Sequence, residues 1–181
     1  PIRMFLPDGS TRELMAEIPV MSESHTMNVV ENGHGNLRHY YEAGRTRFLP
    51  EPFDLINVEY RHEGERRSCQ VPVSIHQYFD GYDEIHFRNG VFCRWIADRQ
   101  AEEVRGLSPE ETGNILSEIC AALTYHYEPE VNGGTTVSDV DINAGDFILR
   151  RDAATRSDDG APDLKLITVR KRKGGVDIPH F

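Results

Sequence analysis

The chain has 181 residues, 38% of them apolar and 28% charged, with a net charge of −10. A chain of that length buries about 70% of its unfolded surface and needs no disulfide or metal staple. No apolar run reaches the roughly 18 residues that span a bilayer, and collagen-like, coiled-coil and fully disordered classes fail on composition.

The first segment reads as a hairpin. Ile2, Met4 and Leu6 alternate with Arg3 and Phe5, Pro7-Asp8-Gly9-Ser10 supplies a turn, and Thr11 to Ile18 return. Residues 19 to 36 are polar and contain Gly33 and Gly35, which predicts a loop, followed by a short helix over Leu37 to Ala43 closed by Gly44. A second hairpin turns at Glu63-Gly64. Read as a two-residue loop, it sets Val58 opposite Cys69 and Ile56 opposite Val71, with the apolar sets on one side. Pro72 points to an edge strand or a bulge nearby. A third hairpin turns at Asn89-Gly90 and sets Phe87 opposite Phe92 and His86 opposite Cys93.

Ser108-Pro109-Glu110-Glu111 is a helix start with a capping box. Ile115, Leu116, Ile119, Cys120, Leu123 and Tyr127 then define one helical face, and Pro129 ends the helix. Asn132-Gly133-Gly134 opens a loop. Asp146 to Arg151 and Leu164 to Arg170 read as strands, with a polar tip between them from Asp152 to Asp163. The expectation is a single α+β domain over residues 1–173, with a tail over 174–181. Its mainly antiparallel sheet is built from β-hairpins and packs on one long amphipathic helix at about 108–127.

Charge is unevenly placed. Residues Phe147 to Phe181 hold eight Lys/Arg against five Asp, or +3, which leaves −13 on the rest. The acidic body disfavours nucleic acid and anionic membranes as general partners. The basic run Arg170, Lys171, Arg172 and Lys173, together with Phe181 at the terminus, is the candidate partner-binding strip. Cys69, Cys93 and Cys120 are widely spaced and odd in number, which fits a cytoplasmic or other reducing compartment. No signal peptide is visible.

Eight histidines are the unusual feature of the composition, and none forms a metal-ligand motif. His86 opposite Cys93 is a candidate catalytic pair, because a nearby imidazolium lowers a thiol pKa and makes a nucleophile. His34 and His39, near Glu31 and Glu42, are candidate ligands for a divalent metal, although no cofactor is required. Asp146 with Asp163-x-Lys165 resembles the acid and acid-x-lysine set by which restriction-type nucleases hold Mg²⁺. The ordinary reading of those residues is turn positions before a strand. Pro1-Ile2 at a strand start resembles the opening of the tautomerase superfamily. The Pro7 to Gly9 turn, where that family has a long helix, excludes the assignment.

No catalytic motif stands clear of these alternatives. The leading expectation is a non-enzymatic assembly or protein-interaction subunit, part of a larger complex or virion-type particle, that self-associates or binds a protein partner. The alternative is a soluble enzyme with a His/carboxylate (metal) or His/Cys site, with hydrolysis as the candidate chemistry.

Overall fold

The structure, a computed structural model, describes residues 1–5, 7–19, 24–61, 68–88, 91–96, 101–103, 108–138, 140, 145–151 and 162–175. Its elements in chain order are β1 (Ile2–Phe5), β2 (Thr11–Glu17), α1 (Ser24–Glu42), β3 (Pro52–Tyr60), β4 (Cys69–Gln77), β5 (Tyr82–Arg88) and β6 (Val91–Ile96). They continue as β7 (Ala101–Glu103), α2 (Pro109–Tyr125), β8 (Thr135–Ser138), β9 (Phe147–Arg150), β10 (Leu164–Leu166) and β11 (Lys171–Gly174). The strands form sheets in the orders β1-β2-β4-β3, β10-β9-β5-β6-β7 and β11-β8. The pairings among these strands are antiparallel. The fold is therefore α+β with mainly antiparallel sheets, as the hairpin pattern implies.

Two helices replace the single long one expected. In α2 the Ser108 hydroxyl accepts from the Glu111 N–H at 3.1 Å, and the Glu111 carboxylate accepts from the Ser108 N–H at 2.9 Å. This is the capping box read from the sequence. The buried stripe is rotated from the expected one. Ile115, Ile119 and Ala122 face the core, while Leu116 and Cys120 are exposed.

The larger correction is α1, a 19-residue helix across the stretch expected to be mostly loop. Gly33 and Gly35 lie inside it and cost about 1 kcal/mol each relative to Ala. Val30, His34, Leu37 and Tyr40 recur at helical spacing on one face and are all buried, which outweighs that cost. The helix ends as expected at Gly44, whose φ of +74° an L side chain rarely adopts.

The β3–β4 ladder pairs Val58 with Val71, Ile56 with Val73 and Tyr60 with Cys69, two residues away from the expected register. A two-residue slip preserves the side-chain alternation, so the expected faces survive it. The β5–β6 ladder has the expected register, with Phe87 opposite Phe92 and His86 opposite Cys93. The expected turns at Glu63-Gly64 and Asn89-Gly90 lie outside the described residues, as do the tip over 152–161 and the tail over 176–181 with Phe181. β10 ends at Leu166, short of the expected Arg170; the Ile167 N–H still bonds to the Asp146 carbonyl at 2.9 Å, and on the other side the Leu166 N–H bonds to the Phe48 carbonyl at 2.8 Å. The chain then re-enters a ladder as β11, beside β8.

Two apolar clusters hold these parts. The larger joins α1, α2 and the five-stranded sheet through residues such as Leu37, Ile85, Ile115, Ile119, Phe147 and Leu166. The smaller, on the four-stranded sheet, is Leu14, Val73 and Ile75, with Ala16 and Phe53 against it. α1 packs against β4, β3 and β11 and contributes Leu37 and Tyr40 to the larger cluster.

Candidate functional site

His34 and His39 do not converge. Five residues apart on a helix, they point about 140° away from each other. His34 turns to the four-stranded sheet, where its Nδ1 lies 2.9 Å from the buried Ser74 hydroxyl. His76 is buried nearby. Burial lowers the pKa of both imidazoles, and each has a cation or potential cation close by: Arg38 for His34 and His34 for His76. Among the described residues, no group of three or more His, Cys, Asp or Glu is placed to hold a metal ion.

His39 turns the other way, toward a cluster the sequence does not reveal. Its Nε2 lies 3.0 Å from Glu128 Oε1. Glu128 also accepts a bond from the Arg172 guanidinium, which lies over the Tyr40 ring at 5.3 Å. Burial alone would raise the Glu128 pKa, but the His39 and Arg172 bonds hold it below the usual carboxylate value. Behind Tyr40 lies His126, fully buried, with ring centroids 4.8 Å apart. Both His126 ring nitrogens and the Tyr40 hydroxyl are buried without a hydrogen-bond partner among the described residues. Burial, with Arg45 adding to it, lowers the His126 pKa to about 4, so its ring is neutral near pH 7. His39 and Glu128 are 89 positions apart, so no local spacing announces the pair.

His86 and Cys93 face each other across β5 and β6, and both are buried. The Cys93 thiol donates to the His86 backbone carbonyl at 3.5 Å, and His86 Nε2 lies 3.2 Å from Glu84 Oε2. Gly145 seals this pair. A Cβ there would stand 2.7 Å from Glu84 Oε2 and 3.2 Å from His86 Nε2, and its φ is +74°. Only glycine fits such an approach without displacing the pair.

The nuclease-like set is not assembled. β9 and β10 pair Phe147 with Leu166 and Leu149 with Leu164, so Asp146 and Asp163 flank opposite ends of the ladder. Each is already bonded. Asp146 takes both Arg170 nitrogens and the Thr168 hydroxyl. Asp163 takes the Tyr82 hydroxyl and the Lys165 ammonium. The basic strip is partly absorbed in the same way. Arg170 clamps Asp146 and Arg172 holds Glu128, while Lys171 and Lys173 in β11 are exposed.

The least explained surface is the four-stranded sheet. Directly paired residues share a face. Ile2 pairs with Leu14, Ala16 with Ile75, Ile56 with Val73 and Val58 with Val71, so one face is mainly apolar, with Arg12, Asp54 and Gln77 among its paired residues. The opposite face carries Glu17, Ser74 and His76, and α1 packs there through His34. On the apolar face Leu14, Val73 and Ile75 are buried, but Ile2, Met4, Ile56, Val58 and Tyr60 remain between 40% and 48% exposed. Each residue of β3 from Asp54 to Tyr60 is exposed. The sequence held part of this signal in the alternation of β3 and in Pro72. What it lacked was the placement of α1 on the polar side. Compared with protein-family models, curated proteins and solved structures, the chain matches none.

Proposed function

We propose that this chain is an assembly or protein-interaction subunit whose docking surface is the four-stranded sheet. The observation that carries this reading is a mainly apolar sheet face bordered by half-exposed Ile2, Met4, Ile56, Val58 and Tyr60, and ending in β3, which among the described residues has one neighbouring strand. Contiguous exposed apolar surface and long uncovered edge strands are what partner-binding proteins display and self-contained monomers avoid. Lys171 and Lys173 of the basic strip are exposed on β11, while Arg170 and Arg172 hold Asp146 and Glu128.

Native mass spectrometry of the purified chain tests this reading. The expected result is a defined oligomer, shifted to monomer by the double substitution Ile56→Lys and Val58→Lys. A monomer at every concentration contradicts it. The same spectrum weighs the enzyme alternative, which one observation favours. Glu128 holds His39 Nε2, and no described residue bonds its Nδ1, so the imidazole is oriented as a carboxylate-supported base. A small molecule bound at fixed stoichiometry, and lost in His39→Ala, would favour that alternative.

A further inference from the structure

The assembly reading leaves the partner open, and the edge of β3 narrows it. β3 has nine residues and, among the described residues, one neighbouring strand, β4. Edge strands are commonly blunted by Lys, Pro, a bulge or short length. Here the irregularity lies at Pro52/Asp54, and the ladder from Asp54 to Tyr60 is regular. Asn57 is at the centre of that run and pairs with Pro72 of β4. Proline has no N–H, so it fits a ladder where its nitrogen faces away from the partner strand. At such a pair the partner's own N–H and C=O also face away. Asn57 therefore turns its backbone groups outward, and by alternation Leu55 and Glu59 do the same.

We propose that a second copy of this chain adds to this edge, β3 against β3 and antiparallel, about a two-fold axis at Asn57. The proposal rests on the assembly reading above. An axis at Asn57 sets the whole exposed run, Asp54 to Tyr60, against itself. The two Asn57 residues exchange both backbone bonds. Ile56 faces Val58 of the second copy, and Val58 faces its Ile56, at the closer non-hydrogen-bonded spacing of about 4.5 Å between Cα atoms. Asp54 faces Tyr60 and Glu59 faces Leu55. The run is purely acidic in charge, yet no two carboxylates stand opposite each other, which a foreign strand of arbitrary sequence would not ensure. The rotation closes after two copies, the commonest symmetry of soluble oligomers.

Engineered cysteines test the register. In a Cys120→Ser background, which removes an exposed thiol, Asn57→Cys and Leu55→Cys are each oxidised mildly and resolved without reductant. Both positions are exposed, so the fold tolerates the changes, and circular dichroism checks this. The two copies of residue 57 would lie about 5.5 Å apart between Cα atoms, within disulfide range. The two copies of residue 55 would be four residues out of step, about 13 Å apart and beyond reach. The expected result is a covalent dimer from Asn57→Cys in most chains and little or none from Leu55→Cys. Equal cross-linking of both, cross-linking of Leu55→Cys alone, or neither in a chain that is oligomeric by native mass spectrometry overturns this pairing and leaves the assembly reading standing. A chain that is monomeric throughout overturns both.

Discussion

His126 is fully buried, yet among the described residues both ring nitrogens are without partners, and the Tyr40 hydroxyl beside it is in the same condition. An unsatisfied buried polar group costs about 1–3 kcal/mol, and a charged one costs more. The imidazole therefore stays neutral, and its pKa falls from 6.5 to about 4. The consequence for stability has a definite sign. Between pH 6.5 and about 4 the unfolded chain takes a proton that the folded ring refuses, so stability present above pH 6.5 is lost as pH falls through that window. Complete loss corresponds to about 3 kcal/mol. Replacing His126 with Phe removes the refused proton and both orphaned nitrogens. Among Tyr40, Phe48 and Tyr125 an apolar ring suits the site. Urea melts at pH 7 and pH 4.5 are expected to show His126→Phe at least as stable as the parent at pH 7 and clearly more stable at pH 4.5. A loss of more than about 2 kcal/mol at pH 7 would mean that the imidazole is bonded to something essential.

At the scale of elements, legibility followed how local each cause was. The α2 start was readable because its capping box lies within four consecutive residues, Ser108 to Glu111. The β5–β6 register was readable because a two-residue loop fixes pairing from nearby sequence. The β3–β4 register lies two residues from the expected one, while the side-chain alternation keeps the faces. α1 was hidden by Gly33 and Gly35, because the burial that offsets them comes from strands distant in sequence. Gly33 lies under β10's continuation, where a Cβ would meet the Val169 carbonyl at 3.9 Å, whereas Gly35 has nothing within 4 Å. Gly35→Ala on this exposed helical position is expected to stabilise the chain by about 0.5–1 kcal/mol, seen as a rise in Tm of a few degrees. A fall in Tm would contradict the helix there. The His39–Glu128–Arg172 cluster was illegible for the same reason as α1. Its members come from α1, the segment after α2, and β11, and only the tertiary fold brings them together.

At the scale of the molecule, the four-stranded sheet sets its polar face against α1, and on its other face Ile2, Met4, Ile56, Val58 and Tyr60 stay half exposed around the buried Leu14, Val71, Val73 and Ile75. The account therefore depends on whether the outer edge of β3 is paired in solution. Residue-resolved hydrogen exchange on the unmodified chain measures that directly. Within β3 the amides of Ile56 and Val58 bond toward β4, while those of Leu55, Asn57 and Glu59 point outward. The pairing proposed here predicts slow exchange at all five positions. Slow exchange at 56 and 58 with fast exchange at 55, 57 and 59 would show an uncovered edge and contradict assembly through β3.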